Sequence, residues 1–175
     1  SDWSSDVCSS DLSSGQARRL PDILRALATL PVTVIAAHAG HPPREAVPDN
    51  ARLTDFLPGD QAARVASLVI CNGGSPTSYQ GLAAGIPVIG LASNLDQYLN
   101  MSLIDAAGAG ILLRSHGASR EQIRAAAQRG LDSVSMRAKA GRLGEAVRRL
   151  DPAKELANIL EDLPGARHGN ADRTL

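Results

Sequence analysis

The sequence predicts one α/β domain built on a parallel sheet with helices on both faces. Three observations carry this prediction. Short runs of four or five apolar, largely β-branched residues recur (VTVIA at 32–36, LVIC at 68–71, PVIGL at 87–91). Between them stand segments with helical apolar spacing; strands that are apolar throughout are covered on both faces, as in parallel sheets. At 175 residues with 43% apolar side chains, the chain has the size and core material of one domain, not two.

The elements follow in order. Residues 1–12 (SDWSSDVCSSDL) are rich in serine and aspartate and show no helical or strand period. Composition therefore predicts a disordered segment with Trp3, the sole tryptophan, exposed. This string resembles the translation of sequencing-adapter read-through, which marks it as an artefactual segment outside the domain proper at 13–163. Leu20, Ile23, Leu24 and Leu27 share one helical face, Pro21 suits the first turn, and Leu30-Pro31 ends the helix. Residues 32–36 form a buried strand, 40–49 a proline-containing loop, and 52–55 a short strand. Asp60 is expected to cap a small helix running to Ala66. After the strand at 68–71 come a helix at 77–84, a strand at 87–91, a helix at 97–107 and a strand at 111–113. Ser119 followed by Gln122 makes a capping box for a helix to about Leu131. Met136, Ala140, Leu143, Val147 and Leu150 share a face of the next helix, which Gly141 and Gly144 weaken by about 1 kcal/mol each. Asp151-Pro152 opens a last helix with Leu156, Ile159, Leu160 and Leu163 on its buried side; Pro164 stops it, and 164–175 is a flexible tail.

Composition excludes several functions. Eighteen basic and eighteen acidic side chains give a net charge of zero, against a polybasic nucleic-acid surface. No apolar run reaches ~18 residues, so no membrane span is expected, and no signal-peptide pattern is present, so the expected location is cytoplasmic. Cys8 and Cys71 make neither a disulfide framework nor a metal cluster. Aromatic residues at 2% supply little for stacking on bases or sugars. Arginine outnumbers lysine 16 to 2, which reads as coding bias.

Parallel sheets bind ligands at the carboxyl ends of their strands, so the loops after LVIC and PVIGL are where a site belongs. The first reads Asn72-Gly73-Gly74-Ser75-Pro76-Thr77. Its glycines allow a tight turn, and the helix that follows points amide N–H groups at it, which suits a phosphate or diphosphate; Ser75 and Thr77 add hydroxyl donors. The same residues also serve as a plain turn with a helix cap. The loop lacks the Lys-Ser/Thr pair of a P-loop and the Gly-x-Gly-x-x-Gly spacing of the dinucleotide fingerprint. The second loop carries Asp96 and Gln97 at a strand-to-helix junction. A carboxylate beside an amide clasps vicinal hydroxyls; alternatively, Asp96 only caps its helix. Of the histidines, His38 follows the strand at 32–36 and His41 sits in the proline loop, with no third ligand spaced to make a metal site, and His116 and His168 read as surface or tail residues. Cys71 reads as an inert core thiol.

Residues 65–113 resemble the C-terminal, donor-binding domain of nucleotide-sugar glycosyltransferases of the two-Rossmann-domain GT-B type, such as the UDP-glycosyltransferases and macrolide glycosyltransferases. The resemblance lies in parts in fixed order: a strand into Gly73-Gly74 with Thr77, then Gly81-Leu82-Ala83-Ala84-Gly85-Ile86-Pro87-Val88, then Asp96-Gln97 with Asn100, then Gly108-Ala109-Gly110. A looser likeness covers residues 13–162. It implies a Rossmann-like parallel sheet, the C-terminal half of a GT-B fold. It also implies that the glycine loop and the following helix hold a donor diphosphate. Asn72 stands where the family commonly has a phosphate-contacting histidine, and Gln80 where it has a glutamate on the ribose. Asp96 and Gln97 match the sugar contacts, and Phe56-Leu57-Pro58 the segment near the base. Ser14 and Gly15 resemble the tail of the loop after the family's first strand, which would lie where residues 1–12 stand.

The resemblance thus implies the donor-binding half of an inverting hexosyltransferase. Its substrate is a UDP- or dTDP-sugar, its acceptor a small molecule or lipid, and no cofactor or metal is required. It implies a partner N-terminal acceptor-binding domain that holds the catalytic base, so the 175 residues carry no catalytic residue and are expected to be inactive alone. Two other readings are a nucleotide-sugar 2-epimerase fragment, whose family lacks a good match to Asp96-Gln97-x-x-Asn100, and a non-catalytic nucleotide-sugar-binding domain.

Overall fold

The computed structural model describes residues 5–10, 19–38, 40–150 and 152–162. In chain order the elements are β1 (Ser5–Ser10), α1 (Leu20–Leu27), β2 (Thr33–Ala37), β3 (Ala51–Thr54), α2 (Gly59–Val65), β4 (Leu68–Cys71), α3 (Ser75–Ala83), β5 (Val88–Ala92), α4 (Leu95–Ala106), β6 (Gly110–Arg114), α5 (Arg120–Asp132), α6 (Val134–Arg149) and α7 (Pro152–Asp162). The strands form one sheet in the order β3-β2-β1-β4-β5-β6, and every pairing is parallel. The chain leaves β1 toward β2 on one side and returns to β4 on the other. The switch point therefore falls between β1 and β4, where doubly wound sheets open a ligand crevice.

Strand periodicity divides the core in two. Leu68 and Ile70 of β4, with Ile89 and Leu91 of β5, face the layer formed by Leu20, Leu24 and Leu27 of α1 and Ile123, Ala126 and Ala127 of α5. Their sequence neighbours Val69, Cys71 and Val88 face the opposite layer, with Ala63 of α2, Leu82 of α3, Met101 and Ile104 of α4, and Ala140 of α6. Alternate residues of one apolar run thus serve two cores, which is why LVIC shows no polar alternation. In α6, Gly144 lets that helix approach α3 closely: a Cβ there would overlap the Leu82 carbonyl. The helical cost of this glycine is offset by a contact that no larger residue permits.

The structure corrects four expectations. Residues 5–10 are not disordered: Cys8 pairs with Ile35 of β2 and with Val69 of β4, at the centre of the sheet. Their neighbours supply the order, because β2 and β4 would otherwise face each other across unpaired backbone groups. Asp60 does not cap α2; Pro58 occupies that position and Asp60 lies in the first turn, where its carboxylate complements the helix dipole. The helices α3 and α4 begin two residues earlier than their sequences suggest, at Ser75 and Leu95. In α7, Leu156, Ile159 and Leu160 are exposed, not buried. Trp3, Leu163 and the tail at 164–175 lie outside the described residues. Among the described residues no helix is long and apolar enough to cross a membrane.

Candidate functional site

The glycine loop leaves the carboxyl end of β4 next to the switch point. Gly73 has φ +85°, a left-handed conformation that glycine adopts without strain. A Cβ at Gly73 would also come within 2.6 Å of Met101 Cγ. Two internal bonds then shape the turn: the Gly73 N–H donates to Cys71 Sγ at 3.3 Å, and the Gly74 N–H donates to Asn72 Oδ1 at 2.8 Å. Asn72 is buried, so its carbonyl organises the loop from within. Both glycine amides are thus already engaged within the loop. Ser75 opens α3, with the buried Thr77 two residues further and Gly74 as an extended cap without a side chain. Pro76 has no N–H to leave unsatisfied in that first turn.

The second loop leaves β5, the strand next to β4. Asn94, not Asp96, caps α4: its Oδ1 accepts from the Gln97 N–H at 3.0 Å. That frees Asp96, which is exposed in the first turn, from a capping task. Gln97 is buried, and its Oε1 accepts from the Ser93 N–H at 2.9 Å and the Ser93 hydroxyl at 3.0 Å. Its oxygen is therefore committed to holding the loop, and its NH2 takes no part in these bonds. The two loops meet: a Cβ at Gly73 would sit 3.4 Å from the Gln97 carbonyl oxygen. Of the residues singled out in the sequence, Asn72, Gly73, Gly74, Ser75, Thr77, Asp96 and Gln97 thus follow the carboxyl ends of two adjacent strands.

Gln80 lies further along α3 and turns toward α2. A Cβ at Gly59 would meet Gln80 Oε1, so the end of the Gln80 side chain lies against the start of α2. Gly59 directly follows the segment Phe56-Leu57-Pro58, in which Phe56 is 76% exposed. Ser14 and Gly15 lie outside the described residues. His38, at the end of β2, has Nδ1 3.3 Å from Asp55 Oδ1. Among the described residues no three His, Cys, Asp or Glu side chains gather to hold a metal.

The sequence does not single out the far side of the loop between β5 and α4. There a cavity of about 420 Å³ lies between the ends of β5 and β6, lined by Ser93, Asn94, Leu95, Tyr98, Arg114 and His116 among others. The Arg114 guanidinium stands over the Tyr98 ring, 5.6 Å from its centre, a cation–π arrangement. The only sequence signal for these residues is position, since Arg114 ends and His116 follows a third strand at the carboxyl side of the sheet.

Comparison with known proteins bears on family and fold. The family described as erythromycin biosynthesis protein CIII-like, C-terminal domain, matches residues 21–163. A PGL/p-HBAD biosynthesis glycosyltransferase of Mycobacterium tuberculosis is 52% identical over 134 residues, covering 77% of this chain and 31% of the relative. A PGL/p-HBAD biosynthesis rhamnosyltransferase of Mycobacterium bovis is 47% identical over 133 residues, covering 76% of this chain and 30% of the relative. Among solved structures, the spinosyn rhamnosyltransferase SpnG complexed with thymidine diphosphate superposes with a TM-score of 0.79 at 27% identity, covering 91% of this chain and 46% of that one. The chain therefore spans about a third of the length of these curated relatives.

Proposed function

The chain belongs to the family of erythromycin biosynthesis protein CIII-like C-terminal domains, and from that membership we propose that it is the donor-binding half of an inverting glycosyltransferase acting on a nucleoside-diphosphate sugar. The observation that carries the reading is the meeting of two loops at the carboxyl ends of adjacent parallel strands. One opens a helix N-terminus with hydroxyls at Ser75 and Thr77, the other presents an uncommitted carboxylate at Asp96. A diphosphate at the first requires neutralisation of negative charge, which helix amides and dipole supply. A sugar at the second requires a charged acceptor and an amide donor for its hydroxyls, which Asp96 and the Gln97 NH2 supply.

The donor then lies along the sheet edge. Its base is near Phe56, its ribose near Gln80, its diphosphate at Ser75 and Thr77, and its sugar at Asp96. The acceptor hydroxyl, deprotonated by a base from a second domain, attacks the anomeric carbon. The bond to the diphosphate breaks with inversion, and charge grows on the leaving oxygen toward the first turn of α3. Asn72 contributes no positive charge to this step, unlike a protonated histidine. The thymidine diphosphate bound by SpnG supports thymidine over uridine as the nucleoside.

Calorimetric titration of the 175-residue chain with thymidine diphosphate, uridine diphosphate and inorganic phosphate tests the reading. Binding of a nucleoside diphosphate well above inorganic phosphate is expected, with the thymidine form tighter. Equal, negligible heats for all three would overturn it.

A further inference from the structure

The α4 helix bears the sugar-side residues at its start, and one turn later it reaches back to the glycine loop. Asn100 stands three residues after Gln97 and four after Asp96, on the same helical face. Its NH2 donates to the Gly73 carbonyl at 2.7 Å and to the Ser78 hydroxyl oxygen at 2.9 Å. The buried Ser78 hydroxyl donates in turn within the first turn of α3, to the Gly74 carbonyl at 2.9 Å, with the Ser75 carbonyl at 3.2 Å. A single amide thus ties three parts of the fold: the turn after β4, the start of α3, and α4.

From this geometry we infer that Asn100 is a positioning residue for donor binding: it locks the diphosphate-side turn in fixed register with the sugar-side residues on its own helix. The inference rests on the donor-site reading above. The peptide group is planar, so holding the Gly73 carbonyl also fixes the direction of the Gly74 N–H, which meets Asn72 Oδ1. Two successive glycines are the most mobile pair a turn can contain, and the clamp removes that freedom before a ligand arrives. The next residue acts from the other side. Met101 is fully buried and fills the space that Gly73 and Gly90 leave, since a Cβ on either would collide with it. The spacing between the phosphate-side and sugar-side groups is thereby set by one rigid helix, which lowers the ordering cost of binding a ligand that spans both.

The test separates positioning from plain stabilisation. Asn100→Leu keeps the shape of the side chain and its neutrality but donates no hydrogen bond. Purified chain and variant are titrated calorimetrically with thymidine diphosphate and with uridine diphosphate, below the melting temperature of each, and melted separately without ligand. The expected result is a loss of about tenfold in nucleoside diphosphate affinity, corresponding to two hydrogen bonds of ordinary net strength, in a variant that is fully folded during the titration. Ser78→Ala removes one end of the clamp, and a loss of about threefold is expected; it carries the test if Asn100→Leu fails to fold. In the double variant the losses should not add, because both residues act through one clamp. Unchanged affinity alongside a lower melting temperature would make Asn100 a stabilising contact only and overturn the inference. Absence of binding by the unsubstituted chain would instead overturn the donor-site reading, and this inference with it.

Discussion

Asp96 is the residue at which two roles, helix cap and ligand contact, were hardest to separate in sequence. Asn94 takes the capping bond to the Gln97 amide, and Asp96 stands exposed one position into α4. Asp96→Asn is therefore expected to leave the melting temperature almost unchanged, with only a few tenths of a kcal/mol lost from the helix dipole. If Asp96 accepts from a sugar hydroxyl, the same change removes a charge-assisted bond worth about 1.5–3 kcal/mol. Titration should then show weaker binding of a thymidine diphosphate sugar with unchanged affinity for thymidine diphosphate itself. The polar, glycine-rich character of these two strand ends is legible in the sequence, because the apolar strands that precede them are. What was not legible was the internal engagement of the loop. The Gly73 and Gly74 amides and the Gln97 oxygen are taken by Cys71, Asn72 and Ser93. Such bonds depend on backbone angles that residue names do not encode.

Among the elements, α5 was read most fully, because its start is specified by short-range chemistry. Ser119 and Gln122 form the expected reciprocal box: the Gln122 N–H donates to Ser119 Oγ at 3.2 Å and the Ser119 N–H to Gln122 Oε1 at 2.8 Å. Glu121 sits within this turn. Its own backbone N–H, then the Ser119 hydroxyl, and to a lesser degree Arg120 and Arg124, hold its carboxyl below the usual glutamate value. The sign follows from linkage. A carboxyl lowered on folding stabilises the fold fully above its unfolded value and loses that contribution as the pH falls through the lowered one. Urea denaturation in acid should therefore show a steeper loss of stability for the unsubstituted chain than for Glu121→Gln. The effect is small because the group is fully exposed. The α7 helix shows the opposite case. Its apolar stripe was correct as helical periodicity, yet Leu156, Ile159 and Leu160 face outward at 50–60% exposure. Periodicity identifies a face and says nothing of whether an element of the same chain covers it.

The sheet as a whole depends on β1, which lies between the halves formed by β2–β3 and β4–β5–β6. Cys8 pairs on both sides, with Ile35 and Val69. A proline there removes a ladder donor and fits neither neighbour. Cys8→Pro is expected to cost about 3 kcal/mol or more, a large share of a marginal total. Hydrogen exchange should show faster amides in both β2 and β4, while α5 keeps its local caps. Retained protection in both strands would mean that the two halves hold together without β1.

The sequence by itself determined the layer arrangement: apolar runs of strand length separated by amphipathic helices admit little besides a parallel sheet covered on both faces, and the periodicities that say so are local. It also determined which strand ends bear the polar, glycine-rich chemistry. Long-range packing alone fixes that Ser5–Ser10 completes the centre of the sheet, that Asn100 reaches from α4 to the Gly73 carbonyl, and that α7 keeps Leu156, Ile159 and Leu160 outward. Each of these is fixed by partners distant in sequence. A serine-rich segment becomes a strand when two neighbours offer it backbone bonds on both edges, and an apolar stripe stays exposed when no element of the described fold reaches it.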